Sequence, residues 1–324
     1  MPHGRPNVLF FHVDNLGSGE LSCYSGGPFR GCVTERVDAF AAEGFRLTNY
    51  CPESQCTPTR SALMTGRYSV RSGTHTVPLG QPSGWGLVAW EKTMGDVLSE
   101  AGYACSIYGK WHVGEGAGRW PTDKGFLEWY GPPRTYDEAL WPTDPWYDPA
   151  RDPVARMLEI RQGDSDVTEC DQLTLEVRRD CDAEFLRRAE TFIRRQVEVG
   201  TPFYVYFNHL LMHMPVIPRE EFKGRPGRAT GRTACWSSTA TSGFCWICST
   251  PSVSPTTPWS SSPATTAPRK YCCGEARQVS GRAPTLPAVR ATCAPPASCA
   301  GLATSQPGAP AMTSCTSPTG SPPW

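Results

Sequence analysis

Asp182-Ala-Glu-Phe-Leu-Arg-Arg-Ala-Glu-Thr-Phe-Ile-Arg-Arg-Gln-Val-Glu-Val199, closed by Gly200 and followed by Pro202-Phe-Tyr-Val-Tyr-Phe207, decides the fold. Phe185, Leu186, Ala189, Ile193 and Val197 recur at helical spacing, with Arg and Glu on the opposite side, so the first part reads as an amphipathic helix. Gly200 is a C-terminal stop. Aromatic and β-branched residues then crowd into Pro202 to Phe207, which reads as a strand. A helix feeding a strand through the two-residue link Gly200-Thr201 is the unit of an α/β fold.

The same alternation appears towards the N-terminus. Val8-Leu9-Phe10-Phe11-His12-Val13 is a mostly apolar run, as expected of a strand buried on both faces, and it ends at the polar turn Asp14-Asn15-Leu16-Gly17. Val33 to Glu43 reads as a helix stopped by Gly44. Thr93 caps another running to Glu100, and Ala104 to Tyr108 is the next strand. The expected fold class is α/β, with a mostly parallel central sheet and helices on both faces. Residues 117–153, rich in Pro, Trp, Tyr and Asp, read as an insertion or long loop beside a substrate entrance. Parallel sheets carry their chemistry beyond the C-terminal ends of the strands. Here those ends hold Asp14-Asn15, Lys110-Trp111-His112, and Asn208-His209 with His213.

Charge and length bound the rest. The 324 residues hold 31 basic and 31 acidic side chains, which gives no cause to expect a nucleic acid or an anionic membrane as partner. No run of 18 apolar residues exists, and Val8 to Val13 is too short for a signal-peptide core. The expectation is a cytoplasmic chain whose cysteines are free thiols, metal ligands or a reactive residue rather than a disulfide framework. That neutrality conceals a seam near residue 228. Residues 229–324 carry six basic residues and one acidic residue, Glu275, with only two leucines and no Asp. Such a tail has too little apolar surface to offset its ordering entropy. Residues 1–228 are therefore taken as the folded part and 229–324 as a Ser/Thr/Pro/Cys-rich, disordered tail. Cys245-Trp246-Ile247-Cys248 has zinc-like spacing but no second pair, so no zinc site is assigned.

Between a Cys/Pro-rich loop and a helix lies Cys56-Thr57-Pro58-Thr59-Arg60-Ser61-Ala62-Leu63-Met64-Thr65-Gly66-Arg67. A cysteine alone in such a place is most often a small buried hydrophobe. In this setting the chain resembles the type I, formylglycine-dependent sulfatases, whose signature is Cys-x-Pro-x-Arg-Ser followed by Leu-x-Thr-Gly-Arg. The resemblance extends through Asn7-Val8-Leu9 with Asp14, through Gly109-Lys110-Trp111-His112, and through Asn208 to Pro215. It covers residues 5–225 and implies the alkaline-phosphatase-like sulfatase fold, incomplete at the C-terminus.

The resemblance implies a chemistry. Cys56 would be oxidised to formylglycine by a formylglycine-generating enzyme and hydrated to a diol. One hydroxyl would join Asp14 and Asn15 on Ca²⁺ or Mg²⁺ and attack the sulfur of a sulfated small molecule or glycan. Arg60 would fix the diol, and Lys110 would bridge it to a sulfate oxygen. His112 would take a proton from the second hydroxyl to expel sulfate. His213 would contact sulfate or protonate the leaving oxygen. A phosphonate or phosphate ester hydrolase of the same superfamily is the neighbouring alternative. The family commonly shows Asp-Asp where this chain has Asp14-Asn15, so Asn15 offers a neutral oxygen with one less negative charge. His209 and His12 read as structural histidines. Cys23, Cys32, Cys51, Cys105, Cys170 and Cys181 read as ordinary thiols.

Family enzymes complete the metal site with a later Gly-Asp-Asn-Gly segment, which residues 229–324 lack. Taking the third base of each codon with the first two of the next, Pro258 to Arg269 can be re-read as Leu-Val-Val-Phe-Ser-Gly-Asp-Asn-Gly-Pro-Glu. The missing Asp straddles the codons of Ala264 and Thr265, and the Asn those of Thr265 and Thr266. The expectation is a frameshift between Gly227 and Thr230, leaving a sulfatase-type chain that is itself catalytically inactive.

Overall fold

The computed structural model describes residues 5–24, 33–78, 84–134, 145, 147, 148, 150 and 155–223. The 229–324 tail and its Cys245 to Cys248 motif lie outside them. Six strands form one sheet: β1 (Val8–Val13), β2 (Ala104–Tyr108), β3 (Glu128–Gly131), β4 (Arg156–Arg161), β5 (Thr168–Gln172) and β6 (Phe203–His209). Their order is β1-β6-β2-β3-β4-β5. The first four in that order are parallel neighbours, whereas β4 and β5 add an antiparallel hairpin at one edge. The helices are α1 (Glu35–Glu43), α2 (Cys56–Thr65), α3 (Ser69–Ser72), α4 (Met94–Glu100) and α5 (Leu175–Val199).

The pleat explains why both faces are covered. Successive side chains of a strand point to opposite sides. On β6, Phe203, Val205 and Phe207 pack with Phe185, Ala189, Phe192 and Ile193 of α5. Tyr204 and Tyr206 point the other way, into a cluster with Met64 and Leu63 of α2 and with Met94 and Leu98 of α4. Strand β2 divides likewise, Ala104 and Tyr108 towards α5 and Cys105 and Ile107 away. The fully buried Phe185 and Phe192 each contribute about 1.5–3 kcal/mol of apolar transfer. Thr93 caps α4 in a reciprocal box: its hydroxyl accepts from the Asp96 N–H, while the Asp96 carboxylate accepts from the Thr93 N–H. Among the described residues no helix is long and apolar enough to cross a membrane.

Two sequence expectations need correction. Residues 117–153 are not one long loop. They include a 3₁₀ turn, Pro121–Lys124, and strand β3, whose Trp129 and Tyr130 are core residues. Glu-Trp-Tyr-Gly is too short to show an alternating pattern, so its strand state comes from pairing with β2 and β4. Helix α5 starts at Leu175, seven residues before Asp182, with Thr174 as its cap. The added turns bury Arg178 and Cys181, and an arginine on the inner face hides the apolar stripe.

Candidate active site

The strand order accounts for the convergence of the polar groups. With β6 between β1 and β2, the C-terminal ends of three parallel strands lie side by side. His12 pairs with Asn208 and Val13 with His209, and the Asp14 N–H donates to the His209 carbonyl at 3.0 Å. Beyond β2 the chain must pass close to β6. Gly109 sits at φ +102°, and a Cβ there would lie 2.3 Å from the Asn208 carbonyl oxygen, so only glycine fits. The turn delivers Lys110 and His112, both fully buried. Asn15 and His112 have positive φ, 68° and 57°. Such backbone is unfavourable for non-glycine residues, less so for Asn, and it clusters at functional sites.

Cys56 is the first residue of α2, after the N-cap Gln55, and is fully buried. A helix N-terminus carries partial positive charge and favours an anion. The rest of the motif fixes that helix. The Ser61 hydroxyl hydrogen-bonds Ser72 and Thr74, the Thr65 hydroxyl donates to the Ser61 carbonyl, and Gly66 closes the helix in the left-handed region.

Asp14 Oδ2 accepts from Arg60 Nη2 at 3.1 Å and from Lys110 Nζ at 3.0 Å. Arg60 Nη1 also donates to the Lys110 carbonyl at 3.0 Å and to Asn208 Oδ1 at 2.8 Å. All four residues are at most 1% exposed. Burial opposes ionisation of Asp14, but Lys110, His213, Arg60 and His12 together hold its carboxyl well below the usual range. Burial, then Lys110 and Arg60, push His112 well below the usual imidazole range and keep it neutral. Burial raises the Cys56 thiol, partly opposed by the charge and hydrogen bond of Lys110. One carboxylate thus faces two basic side chains in a buried site, which suits an additional anion.

Of the residues singled out from sequence, Asp14, Arg60 and Lys110 bond directly. Cys56, His112 and His213 are buried and feel the same charges. The strand-end Asn208 reaches Arg60, and the structure adds Tyr206, which also reaches Arg60, and His12, whose Nδ1 lies 2.8 Å from the Tyr206 hydroxyl. Their signal in the sequence was position alone, at or near the ends of strands that pair in register. His209, read as structural, sits with Nδ1 3.6 Å from Asp182 Oδ2.

The implied divalent cation can be tested against these groups. Asp14 Oδ1 is buried and has no hydrogen-bond partner. An uncompensated buried carboxylate oxygen is costly, and it is the hard donor that Ca²⁺ and Mg²⁺ take. Asp14 Oδ1 thus fits a cation as one oxygen of its ligand set. Among the described residues no group of three or more His, Cys, Asp or Glu side chains could hold a metal by itself.

Comparison with known proteins places the chain in a family. The Sulfatase family model matches residues 6–265. N-acetylgalactosamine-6-sulfatase of Canis lupus familiaris is 31% identical over 242 residues, covering 69% of this chain and 42% of that protein. Arylsulfatase A of Bos taurus is 33% identical over 230 residues, covering 69% and 44%. The chain therefore spans less than half the length of these curated relatives. Among solved structures, PsFucS1 sulfatase from Pseudoalteromonas sp. aligns with a TM-score of 0.68 at 30% identity, covering 76% of this chain and 52% of that one. The family match extends over most of the sequence and includes every strand end that builds the cluster, and the chain belongs to the sulfatase family.

Proposed function

We propose that this site is built to hydrolyse a sulfate monoester at residue 56. The observation that carries the reading is the buried Asp14–Arg60–Lys110 cluster with Cys56 at the N-terminus of α2. Hydrated formylglycine at position 56 would supply the nucleophile, and Ca²⁺ or Mg²⁺ held by Asp14 and Asn15 would supply further charge neutralisation. The chain's own residues do the remainder. Lys110 and Arg60 present fixed positive charge to the sulfate oxygens, in a water-poor setting where that charge acts strongly. Asn208 and Asp14 hold the Arg60 guanidinium in place. His112 is kept neutral by burial, so it can accept a proton. His213 contacts the sulfate or gives a proton to the leaving oxygen.

The substrate class we assign is a sulfated sugar or small aromatic sulfate, in line with relatives named as N-acetylgalactosamine-6-sulfatase and arylsulfatase A. The partner is a formylglycine-generating enzyme. We also propose that residues 1–228 act as the folded part and that the chain as it stands does not turn over. Asp14 and Asn15 would contribute two of the roughly six to eight oxygens that Ca²⁺ takes. The restored reading of codons 258–269 would contribute an Asp and an Asn.

The test is a chain with the reading frame restored near codon 228, co-expressed with a formylglycine-generating enzyme. It should release sulfate from p-nitrophenyl sulfate in preference to phosphate or phosphonate from the corresponding esters. Cys56→Ala or a chelator should abolish release, and the unrestored chain should show negligible turnover. Preference for a phosphonate or phosphate ester would replace the sulfatase reading. Robust metal-dependent turnover by the unrestored chain would remove the claim of inactivity.

A further inference from the structure

The first turns of α5 carry two charged residues on the inner face, four apart, Arg178 at 0% and Asp182 at 6% exposure. Burying charge is costly unless it is hydrogen-bonded or paired. Both residues engage the backbone of the short turn after β6. Arg178 Nη2 donates to the Leu210 carbonyl and, at 2.9 Å, to the His213 carbonyl. Asp182 accepts from the Leu210 N–H at 2.9 Å and from the Leu211 N–H at 2.8 Å. The turn closes on itself through the His213 N–H and the Leu210 carbonyl, at 2.8 Å. Two side chains thus hold both ends of a four-residue turn by charge-assisted bonds.

That turn ends at His213. The His213 ring is fully buried, and its Nδ1 lies 2.8 Å from the Met214 carbonyl, an acceptor. With Nδ1 donating there, the ring is anchored to the backbone through that nitrogen. His213 is close enough to act electrostatically on both Asp14 and His112. We propose that Arg178 and Asp182 are positioning residues, which clamp the Leu210 to His213 turn and so fix where the His213 ring enters the site. The role of His213 rests on the sulfatase reading above, whereas the clamp rests on the hydrogen bonds alone.

The experiment uses the full chain labelled with ¹⁵N and ¹³C histidine, at one fixed pH, with His213→Gln to assign the ring signal. Arg178→Met and Asp182→Asn should shift and broaden the His213 ring resonances, and Arg178→Lys should do so less. Ile193→Val, in the core of the same helix, should lower the melting temperature and leave that signal in place. Inorganic sulfate should bind Arg178→Met at least about tenfold more weakly than the unsubstituted chain, the scale expected of a displaced contact. An unmoved His213 signal in both Arg178→Met and Asp182→Asn, with stability falling as in Ile193→Val, would overturn the proposal. If Arg178→Met does not fold, Arg178→Lys and Asp182→Asn decide it by the same signal. If the unsubstituted chain fails to bind sulfate, the resonance comparison alone decides the clamp, and the sulfatase reading is decided on the frame-restored chain.

Discussion

Removing the anion from the buried cluster should cost far more than removing one of its cations. At about 3 Å and an effective dielectric constant of about 20, each of the Asp14–Lys110 and Asp14–Arg60 pairs is worth about 5 kcal/mol of attraction. Asp14→Asn forfeits both and leaves two cations buried against each other. It regains only the desolvation of one carboxylate, several kcal/mol. The expected net loss is about 3–5 kcal/mol, as for other buried pairs broken on one side. Lys110→Met forfeits one pair, regains the desolvation of the ammonium, and leaves Arg60 and Asp14 matched one to one. Its net effect should lie within about 1–2 kcal/mol of zero. Urea unfolding with a chelator present, so that no metal contributes, reads both. The Asp14→Asn midpoint should fall by about 1–2 M and the Lys110→Met midpoint by much less. Equal midpoints for Asp14→Asn and the unsubstituted chain, or a larger loss for Lys110→Met, would refute the reasoning.

Two other predictions come from the same strand ends. Burial first, and then Arg60, push the His12 pKa down to about 3 from 6.5. Above pH 6.5 both folded and unfolded forms are neutral; as pH falls from there towards 3, the unfolded state binds a proton that the folded state refuses. Stability should therefore drop by up to about 1.4 kcal/mol per pH unit, about 2 kcal/mol by pH 5. His12→Asn should flatten the acid limb of stability against pH by one proton's worth, and an unchanged slope would contradict this. Gly109→Ala would place a Cβ 2.3 Å from the Asn208 carbonyl at φ +102°. It should cost about 3 kcal/mol or more in thermal unfolding, and a loss under about 0.5 kcal/mol would show that the turn relaxes.

What could be read in the sequence follows from where the information lies. Strands β1, β2 and β6 are apolar runs bounded by polar turns, so composition alone marked them. The Thr93 cap was legible because capping is local. Strand β3 was not, because its four residues become a strand only through neighbours distant in the chain. The start of α5 was hidden by Arg178, a buried charge whose partners are carbonyls 32 and 35 residues further on. The site divides the same way. Cys56, Arg60, Lys110 and Asp14 stand in motifs with a chemical rationale. Asn208, Tyr206 and His12 acquire their place from β1–β6 register and from the reach of Arg60 across the strand ends.

The central claim is that residue 56 is where the chemistry occurs, and its most direct test is the mass of the peptide spanning Cys56. The chain should be produced with and without a formylglycine-generating enzyme, alongside a protein known to be converted. The enzyme should replace the Cys56 thiol by an aldehyde, seen as a mass loss that hydrazine reagents confirm. An intact Cys56 thiol, in cells where the control protein is fully converted, would contradict it.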